Sequence, residues 1–436
     1  MDLTLAFVVF AALMAGSLAY GYSMLWALAA GFVGFMGVGL RRGFALPSLL
    51  HMAWRGVQES LIVVRVMLTI GVLTGLWRAA GTFALLTAWG LRLISPSTFI
   101  LSAFLLSCTL SYALGSSFAT AGTLGVALMT VARSGGVSEL AAAGAILSGI
   151  YFGDRASPAS SCANLVAALT STDLYDNVKL MMRTALLPLL LALGLHAWLS
   201  FKNPMLGGEG AVLTSLNLDF HLSPWCALPA LVMLVLPLFK VKVLHSFGVS
   251  ILCAFFCAVL LQRTGTAGAL RFALMGFHAP EGSVRAIFNG GGLVSMLEIS
   301  AALMISGTYA GIFDGTGILR GLQSRLTRAM NALGAYPVTL TLGTLANAVF
   351  CNQTVAVMMT VHVVRHPYEE RDLPPAELAQ DIANSAVITA GMVPWCIGCS
   401  VPLTMMGAGA GAVPYATYLY LLPLCYLLTR RRWFRG

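Results

Sequence analysis

Charge is scarce in this sequence. Only 9% of its 436 residues are charged, against about 25% in an average soluble domain, while 58% are hydrophobic. This deficit excludes an ordinary soluble globular protein. Apolar runs such as 4–19, 183–199 and 244–261 approach or reach the roughly 20 residues that cross a hydrocarbon core. We therefore expect an all-α polytopic integral membrane protein in contact with the lipid bilayer, with about 10–13 transmembrane or re-entrant segments.

Signatures of enzymes and of redox or metal sites are also missing. The patterns HExxH and GxSxG do not occur. An intramembrane aspartyl protease of the "YD … GxGD" type is disfavoured because residue 151 is tyrosine and the two motifs are in reverse order. Cys396 and Cys399 in "WCIGC" form an isolated C-x-x-C pair beside Pro394, which we interpret as buried apolar packing. We expect neither enzymatic activity nor a cofactor.

The few basic residues lie where they orient a membrane protein. Arg41, Arg42 and Arg55 follow the second apolar run, and "TRRRWFRG" ends the chain. By the positive-inside rule both places are cytoplasmic, so the N- and C-termini are expected on that side of a bacterial-type plasma membrane. The net charge of +9 is therefore not interpreted as affinity for nucleic acid.

The two halves of the chain resemble each other weakly. "GVALMT" (125–130) aligns with "VAVMMT" (355–360) at an offset of 230, which places Asp154 on Asn384. Internal repeats, often inverted, are typical of secondary transporters, although lipid-facing segments can also resemble one another by composition alone. The predicted organisation is N-terminal transmembrane helices at 1–58, a first repeat at 59–201, a linker with transmembrane helices at 202–292 and a second repeat at 293–436.

Each half contains a polar run inside an apolar region. The first is "SYALGSSFATAGTLG" (111–125) and the second "GTLANAVFCNQT" (343–354). Irregular backbone at membrane depth is tolerated where it is buried in protein or lines a watery cavity. We therefore predict re-entrant hairpins or broken helices; close helix packing through small residues is the alternative. The candidate binding residues in these runs are Ser116, Ser117, Thr120, Thr123, Asn352 and Gln353.

The most polar intramembrane stretch is "GIYFGDRASPASSCANL" (149–165). An ionisable group at mid-bilayer costs at least about 2.5 kcal/mol, so Asp154 marks a candidate site. Pro158 would break the helix and free carbonyl oxygens that, with hydroxyls, suit a hard cation. The alternative is an ion pair of Asp154 with Arg155 at a helix end. The further candidates here are Ser157, Ser160, Ser161 and Asn164, whereas Asp173 and Asp176 are predicted to begin a new helix.

These motifs resemble the NhaC-type Na⁺/H⁺ antiporter family, whose pattern is "GDK-x-SP-x-SDTTN…GTDLF" after "GTSWGTAGT-x-GVA". The equivalents here are "GDRASPASSCANLVAALTSTDLYDNVKLM" and "GSSFATAGTLGVALM", and "DIANSAVITAGMVPWCIG" is similar to the family's "LEDS…PWNTCG". The resemblance implies two repeats with hairpins and elevator-type alternating access. The residues that match its motifs are Asp154, Ser157, Pro158, Asn164, Ser116, Thr120, Thr123, Ser385, Pro394 and Trp395.

Two acids of the family pattern are absent. Ser161 stands where the family has the aspartate of "SDTTN", and Asn384 stands where it has that of "EDS". The resemblance implies a Na⁺(cation)/H⁺ antiporter, with Na⁺ held near Asp154, Asn164 and Asn384. The departures leave open a Na⁺- or H⁺-coupled transporter of a small organic acid or amino acid. The partners expected are thus a small cation, a proton or a small organic solute, and homodimer formation stays open.

Overall fold

The described part of the protein is built from helices. A computed structural model describes residues 2–20, 22–93, 95–158, 160–205, 220–238, 241, 243–279, 289–317 and 323–434. Within these ranges the β-structure is confined to a single bridge between Phe277 and Gly290. Four of the helical segments are long and apolar enough to cross a membrane: Pro96–Leu114, Leu174–Lys202, Leu244–Leu261 and Val294–Phe313. The all-α membrane architecture agrees with the prediction.

The helices of the first half run from the N-terminus to the polar stretch that follows residue 202. They are α1 Asp2–Tyr20, α2 Met24–Arg41, α3 Leu46–Ala79, α4 Thr82–Leu93, α5 Phe99–Leu114, α6 Ser117–Thr120, α7 Val126–Ser134, α8 Glu139–Ala156, α9 Ser161–Thr170 and α10 Leu174–Lys202. A π-helical turn, Ala121–Gly125, joins α6 to α7. Asp173 caps α10 as predicted, since its side chain accepts a hydrogen bond of 2.9 Å from the backbone N–H of Asp176.

The helices of the second half begin after residue 227. They are α11 Leu228–Leu238, α12 Val243–Phe256, α13 Thr266–Met275, α14 Leu297–Thr316, α15 Gln323–Leu333, α16 Ala335–Phe350, α17 Gln353–Glu369, α18 Pro375–Ala383, α19 Ala386–Thr389, α20 Ile397–Met405 and α21 Thr417–Phe434. Much of the polar stretch at 202–224, and residues 280–288 of the predicted linker, lie outside the described residues.

Helix boundaries recur along the chain at a fixed spacing. Helix α16 begins and ends 236 residues after α5, α17 begins 236 residues after α6, α18 after α8 and α20 after α9. At this spacing Pro158 coincides with Pro394, Asp154 with Ala390, and Asn384 with Ser148. The offset of 230 predicted from the sequence blocks is therefore wrong, and Asp154 and Asn384 do not occupy equivalent positions.

Glycines bring α8 directly onto α5. A Cβ atom added to Gly149 would lie 2.7 Å from the carbonyl oxygen of Phe104, and one added to Gly153 would collide with the backbone of Ser111 and Tyr112. Backbones can approach this closely only where side chains are absent, the usual arrangement of tightly packed membrane helices. The contact fixes the C-terminal end of α8, where Asp154 lies.

Candidate functional site

The first polar run contains a helix break of two residues. Helix α5 ends with Gly115 in the left-handed conformation (φ 64°), which a glycine adopts without steric cost. Ser116 is extended and begins the next helix, accepting a hydrogen bond of 3.2 Å from the backbone N–H of Ala119. The hydroxyl of Thr120 donates to the carbonyl of Ser116. The side chain of Thr123 lies outside what the structure describes.

The second polar run contains the same kind of break. Helix α16 ends with Cys351 in the left-handed conformation (φ 54°), and Asn352 is extended. The Asn352 side chain accepts hydrogen bonds from the backbone N–H groups of Thr354 (2.9 Å) and Val355 (3.3 Å). Both runs were predicted to contain broken helices, and both breaks are present.

Asp154 lies between the two breaks. Its Oδ1 accepts a hydrogen bond of 3.4 Å from the backbone N–H of Ser117, and its Oδ2 accepts one of 3.1 Å from Nε2 of Gln353. The side-chain nitrogen of Gln353 also donates to the carbonyl of Val387 at 3.0 Å. Asp154 is only 5% exposed. The structure thus brings together three predicted residues, one from each broken helix and one from α8.

The helix-breaking loop after α8 is held by its own hydroxyls. Ser157 donates to the carbonyl of Tyr112 at 2.6 Å. Ser160 donates to the carbonyl of Asp154 and caps α9, accepting from the N–H groups of Cys162 and Ala163. Ser157 and Ser160 are both buried, and these bonds fix the backbone that carries Asp154.

Two of the predicted residues lie away from the carboxylate. Ser161 and Asn164 are exposed at the start of α9. The amide of Asn164 donates to the carbonyls of Pro158 (3.1 Å) and Ser160 (2.7 Å). Asn164 therefore stabilises the loop, and no hydrogen bond of the described chain joins it to Asp154.

Asn384 and Ser385 are completely buried between α18 and α19. The Ser385 hydroxyl donates to the carbonyl of Asp381 at 2.5 Å. The backbone carbonyl of Asn384 accepts a bond of 2.9 Å from the hydroxyl of Tyr336, but neither atom of its side-chain amide has a partner among the described residues. A buried amide without partners is costly, and both atoms of this amide are still able to form hydrogen bonds.

Arg155 points away from Asp154. Its guanidinium donates to the carbonyl of Met181 at 3.1 Å and to the hydroxyl of Thr184 at 2.9 Å. It is completely buried, and within the described ranges no acidic group forms an ion pair with it. The alternative of an Asp154–Arg155 ion pair is therefore wrong.

Sequence reasoning missed a buried ionic cluster at the end of α18. Asp381 accepts hydrogen bonds from the hydroxyls of Tyr368 (2.6 Å) and Tyr426 (2.8 Å) and from the guanidinium of Arg430 (2.7 Å). Arg430 also pairs with Glu377, one helical turn before Asp381. Acids at positions i and i+4 of an apolar helix were the available signal. From the sequence, Arg430 belongs to the basic stretch "TRRRWFRG" that ends the chain.

The chemistry available at Asp154 is that of one carboxylate with neutral donors. Among the described residues, no three His, Cys, Asp or Glu side chains come together as a metal-binding group. An ionised Asp154 would therefore share a cation with carbonyl, hydroxyl or amide oxygens, the ligand types of hard cations. A buried carboxylate between broken helices is the arrangement of secondary active transporters.

Comparison with known proteins gives the family. The Na⁺/H⁺ antiporter family matches residues 149–429, which is more than half of the chain, and the chain belongs to this family. The match includes Asp154, the second helix break and Asp381, and it ends one residue before Arg430.

Relatives that are named for different substrates are similar to this chain over most of its length. A malate-2H⁺/Na⁺-lactate antiporter of Bacillus subtilis is 28% identical over 82% of this chain and 78% of its own length. The arginine/ornithine antiporter ArcD of Halobacterium salinarum is 27% identical over 91% of this chain and 82% of its own. The Na⁺/H⁺ antiporter NhaC of Alkalihalophilus pseudofirmus is 25% identical over 87% and 85%.

Proposed function

We propose that the protein is a secondary active antiporter that exchanges Na⁺, or a similar alkali cation, for protons across the membrane. The observation that carries this proposal is the position of Asp154, buried between two helix breaks and hydrogen-bonded to both. The ion gradients drive such exchange, so we expect no resident cofactor; Na⁺ and H⁺ are the transported species.

The carboxylate would carry either a proton or a cation. Its partners, the N–H of Ser117 and the amide of Gln353, are neutral donors that stabilise the ionised form without cancelling its charge. Burial disfavours the ionised form. Asp154 would therefore lose its proton when a cation takes the place of that proton. Mutually exclusive binding of the two at one group couples their movement in opposite directions.

The packing of the broken helices supports an inverted pair of hairpins. The Tyr368 hydroxyl lies 2.9 Å from that of Thr339, so the end of α17 is beside the start of α16. Ser102 and Leu106 of α5 line one cavity together with Ala127 of α7, which suits a second hairpin. We infer that the hairpins enter from opposite membrane faces, meet at Asp154 and move as one unit during alternating access. The N- and C-termini are assigned to the cytoplasm of a bacterial-type plasma membrane.

Purified protein in proteoliposomes with an internal pH dye tests the exchange. Adding Na⁺ or Li⁺ outside acid-loaded vesicles should raise the internal pH, with no organic solute present. The same assay with protein-free vesicles supplies the control for leak. If Na⁺, Li⁺ and K⁺ all leave the internal pH unchanged in vesicles that contain folded, correctly inserted protein, cation/proton antiport would be refuted.

Arg155 favours a second candidate, exchange of a small organic acid or amino acid coupled to Na⁺ or H⁺. A completely buried guanidinium bonded to neutral groups is expensive unless an anion joins it. A substrate carboxylate would be such an anion, and Asn384 would add hydrogen bonds. Two of the relatives are named for organic substrates, which supports this candidate.

Radiolabelled counterflow separates the two candidates. Vesicles loaded with unlabelled lactate, malate or arginine should accumulate the labelled solute only if the second candidate is correct. In that case Arg155→Gln should abolish counterflow, whereas Arg155→Lys keeps the charge and should retain part of it. Cation-driven proton flux without any of these solutes would favour the first candidate.

A further inference from the structure

A cavity of about 210 Å³, lined by apolar residues and several polar ones, lies between α14, α20 and the second helix break. Glu298 of α14 lines it on one side, and Ser400 and Thr404 of α20 line the other. Cys351, the left-handed residue of the break, also lines it, together with Trp395. The cavity therefore connects a surface carboxylate to the helix break that carries Gln353.

The lining of this cavity suits a small cation. Glu298 is the one charged side chain among the described lining residues, and the hydroxyl of Ser23 donates to it at 2.5 Å. The hydroxyls of Ser295 and Ser400 donate to the backbone carbonyls of Gly292 (2.7 Å) and Cys396 (3.1 Å). Because their protons are used within the backbone, these oxygens present lone pairs to the cavity.

The cavity is linked to Asp154 through the second helix break. Cys351 is two residues before Gln353, whose amide donates to Asp154 at 3.1 Å. The carbonyl of Cys351 accepts a bond of 2.8 Å from Ile397, so α20 and the break form one rigid wall. The cavity and the carboxylate of Asp154 thus both contact the second helix break.

An adjoining cavity has the opposite charge. It shares Ser295 and Thr404 with the first, but the charged residues lining it are Arg78 and Arg133. Clefts lined by one sign of charge concentrate ions of the other sign and repel like ions. The two neighbouring cavities therefore provide a route on which a cation is guided toward Glu298 and away from the arginines.

We propose that the cavity of Glu298 is a second, outer binding site for the alkali cation, filled before the cation reaches Asp154. This inference rests on the proposed cation/proton exchange. In the orientation assigned above, the mouth of the cavity faces the exterior. Glu298 binds the cation at this outer site and raises its local concentration, while Asp154 remains the group at which cation and proton compete.

The simpler role for Glu298 is stabilisation of the N-terminal end of α14. It lies in the first turn of α14, where a negative charge stabilises the helix dipole. That role affects folding stability and predicts no change in cation affinity. Asp176 provides a matched control, because it also lies in the first turn of its helix, is exposed, and lines none of the cavities described above.

Kinetics in proteoliposomes test the outer site. Glu298→Gln should raise the KM for external Na⁺ about tenfold, the lower end of the enrichment produced by charged clefts, with little change in kcat. Asp176→Asn should leave both unchanged. An unchanged KM in Glu298→Gln, with active wild-type protein, would overturn the outer site alone. An inactive wild type would overturn the proposed exchange, and the outer site with it.

Cysteine accessibility provides a second measurement that does not depend on turnover. Ser400→Cys places a thiol in the cavity wall, and the membrane-impermeant reagent MTSET should label it faster than it labels the native protein. Saturating Na⁺ should slow this labelling, and Glu298→Gln should remove the protection. Labelling that is insensitive to Na⁺ in the Ser400→Cys protein would contradict cation binding in the cavity.

Discussion

Removal of Arg430 should destabilise the protein more than removal of any one acid that it pairs with. Asp381→Asn leaves Arg430 with Glu377 as its partner. Arg430→Gln leaves both buried carboxylates without their positively charged partner. Breaking a buried ion pair from one side costs about 3–5 kcal/mol. We expect Asp381→Asn at the lower end of this range and Arg430→Gln at the upper end or beyond. The Tyr368 and Tyr426 hydroxyls still donate to Asp381, which limits the loss.

Thermal unfolding in detergent, followed by tryptophan fluorescence, measures this difference. At roughly 2–4 °C per kcal/mol, Arg430→Gln should lower the midpoint by roughly 10 °C or more. The decrease in the midpoint of Arg430→Gln should be smaller at lower pH, because the unpaired carboxylates can then bind protons in the folded state. The reasoning would be refuted if Asp381→Asn were the more damaging change, or if both left the midpoint unchanged.

Three further predictions concern the backbone and the hydrogen bonds around Asp154. Gly153→Ala should cost about 1–3 kcal/mol and impair transport because its methyl group would meet the backbone of α5, whereas Gly194→Ala has open space and should be neutral in the same melting and flux assays. Cys351→Val should melt below Cys351→Gly, because a β-branched side chain is strongly disfavoured at this positive φ and glycine is not; equal melting midpoints would contradict this. Gln353→Leu removes a donor that favours ionised Asp154, so the pH profile of exchange should move upward by about one unit, and an unchanged or downward profile would contradict the assigned bond.

The sequence was sufficient to predict an all-α membrane protein with two helix breaks, and it singled out Asp154 as a candidate. Apolar runs and scarce charge indicated helices in a bilayer, and Gly, Ser and Asn inside apolar runs indicated the breaks at Gly115 and Cys351. Asp154 was predicted as the central acid because few other acids interrupt apolar sequence. Gln353 was predicted as a site residue, and the structure adds its bond to Asp154.

Three-dimensional pairing accounts for what the sequence did not reveal. Asn164 lies near Asp154 in the chain, but it bonds the backbone of its own loop, which residue spacing cannot distinguish from a ligand. Arg430 lies in a run of basic residues typical of a cytoplasmic tail, yet it turns inward to Asp381, 49 residues away. The predicted repeat offset of 230 residues was wrong because short apolar sequences match by chance, whereas helix boundaries depend on packing across the whole chain.

Exchange by the Asp154→Asn variant in proteoliposomes tests the central claim most directly. Asparagine has nearly the same size and can keep the hydrogen bond to Ser117, so the protein should insert, elute as a single species and melt near the wild-type temperature. The account predicts that Na⁺-driven proton flux falls to the level of protein-free vesicles, because the carboxylate that joins the two helix breaks and exchanges a proton for a cation has been removed. Wild-type flux in this variant would contradict it.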